Sequence, residues 1–284
     1  MVCKEQFGYL PNTVLTMKNL IILLCIISVV HVTFAQSEKL QAMEEELVFV
    51  QNTANEMWRY IYNSNYNNDE NYLIHSYYSD IINLLCVQFE NMLNQMFIED
   101  KDMTCSFASL QSNGLLGTHI VLSTDSLLRV FSWMLPGGTQ HFYGNAIQYK
   151  NADLTVHSIS FENEYNQSND DYAGASYEYD TVYTLKDNNK TIYILSGSTQ
   201  ASTRIVAYQL IAFCIRDELI EYNIFEDENG NITNKINISY EIGCSNISYP
   251  FPRPTIDVNK KNIYLPEITE NCFTGKFIEY KIIK

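Results

Sequence analysis

The chain is short of positive charge: 18 lysines and arginines stand against 33 aspartates and glutamates, for a formal net charge of −15 over 284 residues. A surface of that sign repels phosphate backbones, and no basic patch interrupts it, so nucleic acid is excluded as a partner. Paired metal ligands are missing too. Among the 5 histidines, His31, His75, His119, His141 and His157 each stand alone, with no H-x-H and no H-E-x-x-H, so no metal site and no cofactor is expected. "SGST" at 196–199 lacks the second glycine of a nucleophile elbow, and no helical pattern follows it. Pro136-Gly137-Gly138 reads as a tight turn, because a phosphate-binding loop would open a helix and carry further glycines or a lysine. In "EDENGN" Gly230 falls at the fourth position from Asp227, where a calcium loop needs its glycine at the sixth, so Asn229-Gly230 is read as a hairpin turn.

Only one long apolar run is present, Leu20 to Val30, and it is shorter than the roughly 20 residues that a spanning helix requires. It follows Lys18 and precedes "TFAQ", the layout of a secretory signal with cleavage after Ala35, and Met17 is the expected start. Cys25 lies inside the run without the small residues of a lipidation site. The expectation is export to the periplasm, the cell surface or the medium, with no stable transmembrane anchor. Loss of residues 1–35 removes Lys4, Lys18 and Glu5, leaving 18 − 2 = 16 basic and 33 − 1 = 32 acidic residues. Cys86, Cys105, Cys214, Cys244 and Cys272 remain; an odd number leaves at least one outside intrachain disulfides, and Cys244 with Cys272 is the expected pair. Sequons stand at Asn166, Asn189, Asn231, Asn237 and Asn246.

Two periodicities divide the chain. From about Ser37 to Phe97 apolar residues recur at three and four, as in Leu40, Met43, Leu47, Val50 and Ala54, and again in Tyr78, Ile81, Ile82, Leu85 and Phe89, with Ser79 placed as a cap. An Asn-rich break separates the two helical stretches. From Leu115 the period falls to two, with runs such as 128–134, 144–150, 191–196 and 204–215 and no helix-length pattern between them, which predicts a mainly antiparallel sheet. The predicted class is α+β: residues 1–35 as signal, 36–104 as a helical arm, and 105–284 as an antiparallel β domain.

Within that domain a strand, a small-residue turn and a second strand occur three times, carrying Phe131 and Tyr149, then Tyr193 and Tyr208, then Tyr264 and Tyr280. The repeat predicts a propeller-like or barrel-like meander. It also makes "RVFSWMLPGGTQHFYGNAIQYK" architecture, with Trp133 and Tyr149 packed on the sheet and Gly138 so placed that Gly138→Val lowers stability.

The segments "LLRVFSWMLPGGTQHFYGNAIQYK", "KTIYILSG" and "NKKNIYLPEITENCFTGKFIEYKI" are similar to stretches of uncharacterised exported proteins of Bacteroidetes-type bacteria, over roughly residues 105–284. That resemblance implies a bacterial envelope setting and supplies no activity or catalytic residues to transfer.

The densest chemistry lies at 162–180. Glu162, Glu164, Asp170 and Asp171, with Glu178 and Asp180 beyond them, accompany Tyr165, Tyr172, Tyr177 and Tyr179, whose rings could stack on sugars. The leading expectation is a non-enzymatic exported binding or interaction protein whose Tyr-rich loops meet a protein or glycan of the cell envelope. The alternatives are a carbohydrate-active hydrolase using paired carboxylates from 162–180, and a structural envelope component.

Overall fold

The structure is a computed structural model that describes residues 12–63, 69–112, 114–160, 176–187, 190–226, 230–243 and 250–282. The chain forms two compact units, Met1–Ala42 and Met43–Lys284. The first consists, where described, of the opening part of helix α1 (Asn12–Asn63). The second holds the rest of α1, helix α2 (Asp69–Glu99) and all the strands. Among the described residues no helix is long and apolar enough to cross a membrane.

The helical period is realised as expected. Leu47, Val50, Ala54 and Ile61 are buried on α1, and Ile82, Cys86, Phe89, Leu93 and Met96 are buried on α2, each set one stripe at spacings of three, four and seven. Ser79 is not a cap: α2 begins ten residues earlier at Asp69, and Ser79 sits on its exposed face.

Three open antiparallel sheets and one two-stranded ribbon follow. The first sheet is β1 (Thr118–Leu122), β2 (Leu128–Leu135), β3 (Phe142–Lys150) and β4 (Val156–Ser160), in that order. The second takes β5 (Glu178–Asp187), β6 (Lys190–Gln200) and β7 (Ile205–Ile215) as a meander, with β8 (Leu219–Glu221) also paired to β7. Strands β9 (Phe225–Glu226) and β10 (Ile232–Thr233) form the ribbon, which is the hairpin read at "EDENGN". Strand β11 (Lys235–Glu241) returns to pair with β7. The third sheet is β12 (Thr255–Asp257), β13 (Asn262–Thr269) and β14 (Cys272–Lys281).

The mainly antiparallel α+β reading holds, but no closed barrel or propeller is found among the described residues. The repeated hairpins are real and belong to three different sheets: β2–β3, β6–β7 and β13–β14. They stack face to face because the middle sheet is apolar on both sides. Tyr193 and Leu195 of β6 join Leu128, Val130, Ile147 and Tyr149 in a core with the first sheet. Ile192 and Ile194, pointing the other way, join Ile256, Ile263 and Leu265 in a core with the third. A strand buried on both faces needs a layer on each side, which a stack provides.

The outer face of the first sheet carries the helices. Phe97 of α2 meets Phe131 with ring centroids 4.5 Å apart, and Phe89 meets Trp133 at 6.2 Å. Trp133 lies over Gly144, its partner across the β2–β3 ladder. A Cβ on Gly144 would come within 2.2 Å of the indole ring, whereas one on Gly138 would meet nothing within 4 Å. The sensitivity expected of Gly138 therefore belongs to Gly144. Cys86, Cys105 and Cys214 are free, and Cys272 is disulfide-bonded; Cys244 lies outside the described residues. Burial raises the Cys86 thiol to about 12, with Glu90 adding to the effect.

Gly144→Ala should destabilise the fold by about 1–3 kcal/mol through overpacking, while Gly138→Val stays within roughly 0.5 kcal/mol of wild type. Thermal melts of the two variants check this, and a Gly138→Val loss as large as that of Gly144→Ala would contradict it.

Candidate functional site

Of the residues nominated from sequence, Glu162, Glu164, Tyr165, Asp170, Asp171 and Tyr172 lie outside the described residues. Tyr177 and Tyr179 are described, and both rings are in the core between the first and second sheets, 7% and 5% exposed. Tyr179 donates its hydroxyl hydrogen bond to Gln209 Oε1, and burial raises the Tyr177 phenol to about 12. Neither offers an open ring face to a sugar.

Glu178 and Asp180 alternate with these tyrosines along the chain, next to a register shift between Tyr179 and Thr181. Glu178 Oε1 is 3.9 Å from His119 Nδ1 of β1, and its carboxylate is hydrogen-bonded with Tyr143. Burial raises the Glu178 pKa, opposed by His119. Asp180 Oδ1 accepts a 2.5 Å hydrogen bond from Arg253 Nη2. This is a carboxyl that holds its proton beyond the usual range beside a carboxylate already engaged by a guanidinium. Both acids have partners within the chain.

A second constellation, unseen in the sequence pattern, lies where α2 ends. Asp100 and Gln148 are fully buried and Arg129 is 4% exposed. Arg129 Nη2 donates to Asp100 Oδ2 at 2.5 Å and to Gln148 Oε1, and its Nη1 donates to the Cys105 carbonyl. Gln148 Nε2 donates in turn to the Phe97 and Asp100 carbonyls, 3.2 Å each. Asp100 Oδ1 also accepts from the Thr104 amide at 2.9 Å. The guanidinium is flanked by Phe107 and Phe131, 4.8 and 5.1 Å from their ring centroids. Burial lowers the Arg129 pKa, and the hydrogen bond and charge of Asp100 oppose that shift.

These bonds fix the direction of α2 over the sheet. Asn94 Oδ1 accepts from Ser160 Oγ at 3.4 Å, and Lys150 Nζ donates to the Asp102 carbonyl at 2.8 Å. Because Lys150 pairs with Val156, the helix runs antiparallel to β4, with residue 94 at the Ser160 end and residues 101–102 at the Val156 end. Between them lies a groove of about 310 Å³, with Phe97, Ile98 and Lys101 on one wall and Leu154, Val156 and Ser158 on the other.

Two large apolar side chains at this groove face water: Ile98 is 66% exposed and Leu154 is 67% exposed. Leu154 also adopts φ +60° in the turn closed by its amide bond to the Asn151 carbonyl, a left-handed conformation that costs an ordinary residue about 1–2 kcal/mol. Asn or Gly would sit there more easily. His157, which also lines the groove, is exposed and stacked on Tyr149, with ring centroids 5.3 Å apart.

No family model, curated protein or solved structure matches the chain. The groove and the Glu178 cluster therefore stand on their own chemistry.

Asp100→Ala should cost about 3–5 kcal/mol, because it strands a buried guanidinium. Replacing Asp100 and Arg129 together by Leu and Met should cost clearly less. Denaturant titrations of both variants check this, and equal losses would show that the pair does not act as a unit.

Proposed function

We propose that this chain is a non-enzymatic binding protein, exported from the cytoplasm, that takes a protein of the cell envelope in the groove between the end of α2 and strand β4. The observation that carries the reading is the pair of exposed apolar side chains, Ile98 and Leu154, set on opposite walls of that groove, one of them in a left-handed conformation. Apolar groups gathered at a concave surface favour contact with another molecule over water. A disulfide-bonded Cys272 suits a protein that matures in an oxidising compartment.

The hydrolase alternative has less support. Of its carboxylates, the described ones are Glu178 and Asp180, bonded to Tyr143 and Arg253 respectively. A second carboxylate that must attack, or activate water, works best unencumbered.

Full-length protein should retain an envelope protein whose affinity, once that partner is purified and measured by calorimetry, falls at least about tenfold with Ile98→Asp, roughly the cost of losing one buried aliphatic contact. Both wall residues are exposed, so the fold tolerates the change. Unaltered affinity in Ile98→Asp and in Leu154→Asp would overturn the reading, as would turnover of a glycan or peptide at an enzymatic rate.

A further inference from the structure

Among the described residues strand β4 is the edge of its sheet, paired on one side, to β3. Which of its backbone groups look outward follows from the ladder. The Lys150 amide bonds to the Leu127 carbonyl, so Lys150 and Gln148 turn their backbone groups to β2 while Tyr149 and Ile147 turn theirs to β4. Their partners His157 and Ile159 are thereby engaged. The N–H and C=O groups of Val156, Ser158 and Ser160 point away from the sheet, and Val156 and Ser158 line the groove.

Natural edges are blunted by charged side chains, proline, bulges or extreme shortness. β4, Val156-His-Ser-Ile-Ser160, has no lysine, acid or proline, and its register with β3 runs without a shift. What overhangs it is the end of α2, held by the buried Arg129 cluster. An edge strand lying beside a helix, with a groove between, is the geometry by which a sheet accepts an added strand.

We infer that the groove's occupant is an extended polypeptide segment that adds to β4 as an antiparallel strand, with a carboxylate at its C-terminal end. The inference rests on the binding reading above and specifies its partner. Only a main chain offers donors and acceptors alternating to match Val156 and Ser158. Side chains of the added strand opposite Val156 and Ser158 fall on the α2 side of the sheet, because Ser158 pairs with Gln148, whose side chain reaches the carbonyls of α2. They meet Phe97 and Ile98, so apolar residues at positions i and i+2 are preferred.

Polarity fixes the other end. Among the described residues Lys101 is the only lysine, arginine or carboxylate lining the groove, in a chain of net charge −15. It stands at the Val156 end of β4. An antiparallel partner arrives there with its C-terminal residues, which places its carboxylate beside Lys101. That carboxylate is either an acidic side chain or the free chain terminus.

The test uses a library of random nine-residue peptides displayed with free C-termini, selected on the full-length protein. Enriched sequences should alternate apolar residues and end in a carboxylate. The best peptide is then made in four forms: unmodified, C-terminally amidated, and N-methylated at either of the two alternating sets of amides. Methylation of the edge-facing set should weaken binding roughly tenfold or more, equivalent to losing about two hydrogen bonds, and methylation of the other set should change it little. Lys101→Gln should weaken the unmodified peptide severalfold. If amidation abolishes that difference, the chain terminus is the carboxylate that Lys101 reads; if it persists, an acidic side chain is.

No enriched sequence, or equal binding of both methylated forms, overturns the strand addition. A peptide lost on Ile98→Asp but indifferent to N-methylation would remove this inference and leave the binding reading standing. A peptide indifferent to both would take its binding away from the groove altogether.

Discussion

Arg129 is the charge around which the helical and sheet layers agree. It rises from the middle of the first sheet, and its two terminal nitrogens reach the end of α2, the turn after it and the neighbouring strand. A buried guanidinium without those partners would carry a desolvation cost of several kcal/mol. Asp100, Gln148 and the Cys105 carbonyl meet it, and only when α2 ends where it does. The polar cluster thus determines a position where the apolar contacts around it would accept several.

Function depends on that position. Phe89 and Phe97 would pack against Trp133 and Phe131 with the helix shifted by a fraction of a turn, since apolar contact is not directional. The bonds from Gln148 to the Phe97 and Asp100 carbonyls set the last turn in place and carry Ile98 and Lys101 over β4. The stack leaves β4 at one border of the first sheet among the described residues. The second sheet is covered on both faces, and β1 at the other border of the first sheet lies against β5, through contacts such as His119 with Glu178. Among the described residues, the short strand at the far border has the helix end beside it.

Local pattern made much of this legible. Spacings of three and four located both helices, alternation located the central hairpins, and Asn229-Gly230 located the ribbon. The failures share a cause. Alternation shows that a strand has two faces without showing what covers each, so the repeated hairpins suggested closure where the chain stacks sheets. The same blindness made Tyr177 and Tyr179 look like sugar platforms, although β5 turns them into the core. At Gly144 the deciding contact is with Trp133, eleven residues away, and no local rule separates it from Gly138. The groove was the least visible element, since the helical period is read only as far as Phe97, one residue short of Ile98, and nothing local marks Leu154 as exposed in a left-handed turn. The Arg129 cluster, whose members are up to 51 residues apart, brings them together.

The central claim is that β4 keeps a row of backbone groups ready for another chain. Hydrogen exchange resolved to single amides, on the full-length protein free and saturated with its selected peptide, measures it directly. The account predicts that Val156 and Ser158 exchange rapidly in the free protein and slow strongly on binding, while His157 and Ile159, already bonded to β3, are protected throughout. Slow exchange at Ser158 in the free protein, or protection that appears on binding without including Val156 and Ser158, would contradict it.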